Sequence, residues 1–362
     1  MNGCGLDRTI GGAYHLAFLR AVRLRRYKNS LRSVLVIRYS ALGDVVLATS
    51  VLEPLRERFP DARIEWVTSP AYAPLLEGLP GLARVHRLGR GGVREAVGLA
   101  VKLRGRFDVA VDLQNKVKSA IVARAAGRRQ LLFRQRSPGQ AALALLGVDP
   151  PVRGPHATQL FADVLRPLGI DRPGRTQVAL PAAARDAAAA ALSGAGRPRV
   201  AVAPGASQAT KLWPAERFAE VADALAGQGA SIVLAGGSAD SDALARFRAA
   251  CRARVDGDLT HLPVEGLAAG LASVDLLVAC DSGPVHLASA VGTPVLAVFG
   301  PTAKERWGPP PPGKALGLEI ECAPCSNHGG ARCPERHHRC MLDLGASAVA
   351  HEARAMLARG PR

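Results

Sequence analysis

The stretch Cys280-Asp281-Ser282-Gly283-Pro284-Val285-His286 admits few folds, because an apolar run from Asp275 to Cys280 stops there and helical spacing begins at once. That pattern is a strand, a tight turn and a helix start. Pro284 suits the first helical residue and Asp281 or Ser282 the cap, while Gly283 is small enough for a ligand to approach the backbone. A second apolar strand, Pro294 to Gly300, follows the helix within one short turn. The unit therefore places its loop at the carboxyl end of a parallel strand, the edge at which open α/β sheets bind ligands. A helix start there offers unpaired N–H groups to an anion. A plain capping turn would use the same residues, so the rest of the chain must decide.

Ser33 to Tyr39 is the first buried-type strand, and Ser40-Ala41-Leu42-Gly43-Asp44 turns it into a helix running to about Arg58. Its spacing is not the GxGxxG of dinucleotide binders. Arg63 to Val67, Val85 to Leu88 and Phe107 to Leu113 read as strands, separated by helical stretches such as Val93 to Leu103. Breaks at Pro150-Pro151 and Gly154-Pro155 precede a helix from His156 to about Leu168. The second half repeats the alternation: strands over Arg199 to Ala203 and Ser231 to Gly236, helices over Pro214 to Ala226, Ser241 to Arg252 and Val264 to Ala272. Alternation of this kind predicts βαβ units and parallel sheets. The expected fold class is α/β, with two Rossmann-like, doubly wound domains facing a cleft, and 362 residues suit two domains of ordinary size. The expected division is a basic extension over 1–32, a first domain over 33–172, a linker rich in Pro, Ala and Gly over 173–198, a second domain over 199–345 and a terminal helix over 346–362.

Asp44 lies at the carboxyl end of the first strand, where its carboxylate could act as a general base in the cleft or simply cap the helix. Pro204 to Pro214 joins a strand to a helix through small residues, the hydroxyls of Ser207 and Thr210, and Lys211. Those are parts for holding phosphate, although the GxxxxGK[ST] of a Walker loop is absent. Two anion-ready ends, here and at Gly283, suit a diphosphate. Asp240, after Gly236-Gly237-Ser238-Ala239, is placed either to accept from ribose hydroxyls or to cap the next helix.

Four of these segments, in order, resemble the heptosyltransferases of lipopolysaccharide core synthesis, glycosyltransferase family 9: Arg38 to Asp44, Pro204 to Pro214 with Lys211 before Leu212-Trp213-Pro214, Gly236 to Ala239, and Asp281 to His286. The resemblance covers about Ser33 to Asp343. It implies a GT-B fold and inverting transfer from ADP-heptose to the inner core, with no essential metal or other cofactor. By resemblance Asp44 matches the base, Lys211 and Ser207 the phosphate loop, and Asp281, Ser282, Gly283 and His286 the donor site, with Asp240 the best placement for the ribose acid. Gln114 and Lys118 resemble acceptor contacts. Another nucleotide sugar serving a different surface glycan is the alternative within the same chemistry.

Lys and Arg outnumber Asp and Glu by 47 to 30, giving +17, which calls for an anionic partner. Ten of the basic residues fall between Lys102 and Arg136, against Asp108 and Asp112. Such a field would draw a lipid A–core acceptor at the inner membrane. A basic nucleic-acid-binding protein is the rival from another class, yet no aromatic interleaving or binding motif accompanies the charge, so no nucleic-acid partner is expected. No apolar run nears the ~20 residues that cross a bilayer, and the first 32 residues carry basic residues with no continuous apolar core behind them, so no cleaved secretory signal is read there. Tyr14, Ala17, Phe18, Ala21 and Val22 fall at helical spacing, as a membrane-surface helix would, and a solvated extension is the other reading. The expected location is the cytoplasm, peripheral on the cytoplasmic face of the inner membrane. Finally, Cys322, Cys325, Cys333 and Cys340 include one Cys-x2-Cys knuckle, which allows a structural zinc; ordered reduced cysteines are the other reading.

Overall fold

The computed structural model describes residues 31–133 and 154–359. Its first sheet holds β1 (Ser33–Ile37), β2 (Arg63–Thr68), β3 (Leu82–Arg87), β4 (Phe107–Asp112) and β5 (Gly127–Leu132) in the order β3-β2-β1-β4-β5. The second holds β6 (Arg199–Ala203), β7 (Ser231–Leu234), β8 (Val255–Asp258), β9 (Leu276–Cys280), β10 (Val295–Val298) and β11 (Lys314–Leu316) in the order β11-β10-β9-β6-β7-β8. Neighbouring strands pair in parallel throughout both. Central strands such as β9 (LLVAC) are buried along their whole length, as helices on both faces require. The α/β class with two doubly wound halves is thus the observed architecture.

The helices are α1 (Leu42–Ala48), α2 (Leu52–Arg58), α3 (Gly92–Leu103), α4 (Val117–Ala126), α5 (Ala157–Val164), α6 (Ala182–Ala191), α7 (Ala215–Ala226), α8 (Ser241–Ala250), α9 (Val264–Leu271), α10 (Gly283–Ala290), the short α11 (Lys304–Trp307) and α12 (Arg339–Leu342), and α13 (Ala346–Ala358). The single helix expected to run from Leu42 to Arg58 is divided by a 3-10 turn at Thr49–Val51. There the Thr49 and Ser50 hydroxyls donate back to the Val46 and Leu47 carbonyls, competing with the regular ladder. The connection expected over 173–198 contains α6, whose Ala184 and Ala188 pack on Ala269 of α9. Helix α13 packs on α7 and β9 through residues such as Val349 and Ala353.

Register sets the position of the loops. Ala203 of β6 lies opposite Ala279 of β9, so the loops leaving these strands emerge side by side where the strand order reverses. The two halves meet through α1 and α10, which pack amino end to amino end. A side chain at Gly43 would overlap the His286 ring, and one at Gly283 would come 2.7 Å from Leu42 Cδ2. Gly283 therefore admits the opposing helix, not only a ligand. The basic extension up to residue 30, with the helical spacing read there, and Arg134 and Arg136 lie outside the described residues.

Candidate active site

Helix α10 begins at Gly283, with Ser282 as its N-cap in extended conformation and Pro284 second. The Ser282 hydroxyl donates to the Cys280 carbonyl and makes no capping bond, so the first N–H groups of the helix are left without a side-chain partner from Ser282. Beside it, Lys211 Nζ lies 2.9 Å from Asp281 Oδ2, which also accepts from the Thr302 hydroxyl at 2.6 Å. The lysine read as part of a phosphate-holding loop is thus one half of a mostly buried ion pair. That pair ties the β6 loop to the β9 loop.

The Lys211 loop is anchored on both sides. Trp213 is fully buried, its indole N–H donating to the Leu344 carbonyl at 3.0 Å and its backbone N–H to Cys280 Sγ at 3.4 Å. Thr210 exchanges bonds with Gly330, donating from its backbone N–H at 3.0 Å and accepting at its hydroxyl from Gly330 N–H at 2.8 Å, while His338 Nε2 bonds its carbonyl at 2.7 Å. The cysteine-bearing segment therefore straps the loop. Asp240 Oδ2 accepts from Gly237 N–H at 2.9 Å, and the Asp240 carboxyl sits where a side chain at Gly205 would have to go. Ser207 is exposed at the rim of the same loop.

On the opposite wall, Asp44 is at the third position of α1 and Arg38 Nη2 lies 2.7 Å from its Oδ2. The Ala41 N–H also points to Oδ2, at 3.4 Å, so both contacts fall on one carboxylate oxygen. Arg38 is held in turn by the Leu113 carbonyl and by the Phe161 ring, 5.5 Å from its guanidinium carbon. A cavity of about 300 Å³ opens here, lined by Arg38, Asp44, Asn115, Lys116, Arg306 and Trp307 among others. Arg306 is 2 % exposed, its Nε has no hydrogen-bond partner, and it makes no ion pair among the described residues. Burial pulls its pKa below the ordinary guanidinium value, and Asp44 opposes that.

His286 lies between the two walls. It is buried against Gly43, and desolvation lowers its pKa to about 4, against the opposing fields of Asp281 and Asp44 and with those of Lys211 and His156. At neutral pH the ring is uncharged, so it offers a hydrogen-bonding imidazole and not a cation. His328, though exposed by area, is ringed closely enough by protein that its pKa falls as well; Asp44 opposes this and Lys211, Arg306 and Arg38 add to it. These charges therefore share one locale.

The two acceptor candidates also make contacts within the protein. The Gln114 side-chain oxygen Oε1 accepts from the backbone N–H groups of Tyr39 and Ser40, both at 3.1 Å, and so shapes the turn before Asp44 while the residue lines the cavity. Lys118 donates to the Gly89 carbonyl at 2.9 Å and lies over the Tyr39 ring, whereas Lys116 is the lysine on the cavity. Sequence reasoning missed Arg306, Trp307 and His328, which no motif marks.

Cys322, Cys325, Cys333 and Cys340, the residues that allowed a structural zinc, lie near enough for their sulfurs to act on one another. Among the described residues no three His, Cys, Asp or Glu side chains form a group that could hold a metal ion. The six described cysteines are free thiols, and Cys322 Sγ instead faces His337 Nε2 at 3.8 Å. Burial, then the neighbouring sulfurs of Cys325, Cys322 and Cys333, pushes the Cys340 thiol up to about 11.

The model of glycosyltransferase family 9 (heptosyltransferase) matches residues 97–332. The lipopolysaccharide heptosyltransferase 1 of Pseudomonas aeruginosa is 28% identical over 330 residues, covering 86% of this chain and 91% of that one. Among solved structures, a family 9 glycosyltransferase from Veillonella parvula superposes with a TM-score of 0.76 at 20% identity, covering 91% of this chain and 98% of the other. An Escherichia coli heptosyltransferase with ADP gives 0.63 at 20% identity, covering 90% and 99%.

Proposed function

This chain belongs to glycosyltransferase family 9, the heptosyltransferases, and is a glycosyltransferase; on that premise we propose that it moves a heptose from ADP-heptose to the inner core of lipopolysaccharide, with inversion at the anomeric carbon. The observation that carries the reading is the opposition of two differently equipped walls. Asp44 and a cavity stand on one, and the Lys211–Asp281 pair beside the α10 amino end stands on the other. The half built on β1–β5 takes the acceptor and the half built on β6–β11 the donor.

In this mechanism Asp44 accepts the proton of the acceptor hydroxyl on the oxygen that Arg38 leaves open, and the acceptor oxygen attacks the anomeric carbon. The bond from that carbon to the diphosphate oxygen breaks, and ADP departs with the electron pair. Lys211, oriented by Asp281, and the α10 amino end take up the charge that develops on the diphosphate. Ser207 adds a hydroxyl donor and Asp240 accepts from the ribose, while Ser282, its hydroxyl donated to the Cys280 carbonyl, leaves the first N–H groups of α10 to the phosphates. Arg306, a buried cation beside Asp44 with no carboxylate partner among the described residues, holds an anionic group of the acceptor. A lipid A–core acceptor supplies such groups and places the enzyme on the cytoplasmic face of the inner membrane; among the described residues no helix is long and apolar enough to cross a membrane.

A thermal-shift series with ADP-, UDP- and GDP-linked ligands and duplex DNA tests the donor class. The ADP ligands should stabilise the protein by mass action. Stabilisation by DNA alone, steeply dependent on salt, would instead support a nucleic-acid-binding protein.

A further inference from the structure

Among the described residues, four of the six exposed large apolar side chains fall on two neighbouring helices, Leu132 and Leu342 lying elsewhere. Val93, Val97 and Val101 of α3 are 52%, 45% and 70% exposed, and Val117 at the start of α4 is 70% exposed. The three on α3 are spaced four apart and so form one stripe. The inward face of the same helix is already made by Ala96, Ala100 and Leu103. A surface helix needs one apolar face to hold it in the fold, and α3 has two.

The stripe is bordered by charge of one sign. Arg90, Arg94, Lys102, Arg104 and Arg106 are all exposed, and Glu95 is the one acid between Arg90 and Arg106. Its carboxylate accepts from the backbone N–H groups of Gly89 and Gly91, at 2.6 and 2.8 Å, holding the turn that enters α3. Helices α3 and α4 pack together, and Lys116, the residue before Val117, lines the cavity beside Asp44. The patch therefore runs up to the mouth of the acceptor pocket.

We propose that α3 and the amino end of α4 form the surface with which this protein lies on an anionic lipid bilayer, the valines entering the boundary between headgroups and acyl chains and the flanking Arg and Lys residues facing anionic headgroups. An apolar stripe with a basic border is the pattern of helices that rest in a membrane interface. The absence of aromatic side chains from the stripe argues against single-stranded nucleic acid as the occupant. The purpose, delivery of a lipid-linked acceptor to the adjoining cavity, rests on the proposed function. The binding itself does not.

The test is co-sedimentation of the full chain with vesicles of phosphatidylcholine alone or mixed with phosphatidylglycerol, at low and high salt. Wild type should bind the mixed vesicles in a salt-sensitive manner. A Val93→Ser/Val97→Ser/Val101→Ser variant and a Lys102→Glu/Arg104→Glu variant should each weaken binding by about tenfold or more. Both should keep the wild-type melting temperature, ADP affinity and turnover of a water-soluble acceptor fragment. No binding by wild type, or unchanged binding by the serine variant, would overturn the proposal. So would loss of binding only when residues 1–30 are removed, which would assign the contact to that extension. Turnover of the soluble fragment is read separately, so a failure of the transferase reading would appear there and not in the vesicle data.

Discussion

Acidification should weaken the fold through His286, and the size of the effect follows from its burial. The ring is 7 % exposed, and its pKa is lowered from 6.5 to about 4. Above pH 6.5 the ring is neutral in both folded and unfolded chains and contributes no pH dependence. Between pH 6.5 and about 4 the unfolded chain takes up a proton that the folded chain refuses, so unfolding becomes easier as pH falls. At ~1.4 kcal/mol for each pH unit, the loss across that window is about 3 kcal/mol. Urea unfolding at a series of pH values, with wild type and His286→Gln side by side, isolates this contribution because other titrating groups are common to both. Wild type should lose about 3 kcal/mol more than the variant over the window. Equal losses, or an NMR titration of the His286 ring near 6.5, would refute the reasoning.

Lys211→Ala removes the cation facing Asp281, which is 4 % exposed, and should destabilise the fold by about 3 kcal/mol while lowering both donor affinity and turnover. Adding Asp281→Asn should restore much of the melting temperature and none of the donor affinity; full recovery of affinity would remove Lys211 from the site. Arg306→Gln should raise the KM for an anionic acceptor by about tenfold or more with ADP affinity unchanged, and an altered ADP affinity would place Arg306 on the donor instead. Gly43→Ala presses a methyl group into the His286 ring and should cost about 1–3 kcal/mol by chemical denaturation, partly recovered in Gly43→Ala/His286→Ala; unchanged stability would mean that α1 and α10 stand further apart.

The central strands and the helices between them were legible because burial on both faces writes long apolar runs. Strands β5 (GRRQLL), β8 (VDGD) and β11 (KAL) were not, because each closes an edge of its sheet and can carry charge or stay short. Asp44, Lys211 and Asp281 could be picked out because each lies in the connection that follows a strand or in the first turn of the helix after it, at the carboxyl edge of a sheet. Their partners could not. The Lys211–Asp281 pair joins loops 70 positions apart in the chain, and Arg306 reaches the Asp44 cavity from a four-residue helix in the other half. Gln114 and Lys118 show the converse limit: a segment pattern does not tell that the Gln114 side-chain oxygen accepts from the Tyr39 turn or that Lys118 donates to the Gly89 carbonyl.

The most direct measurement is transfer from ADP-heptose to a lipid A–core acceptor, with the configuration of the new glycosidic bond read by NMR, for wild type and for Asp44→Asn. Wild type should form a product inverted at the anomeric carbon, and Asp44→Asn should form none while binding ADP as wild type does. Retention of configuration, undiminished turnover by Asp44→Asn, or transfer only from a UDP- or GDP-linked sugar would contradict the assignment.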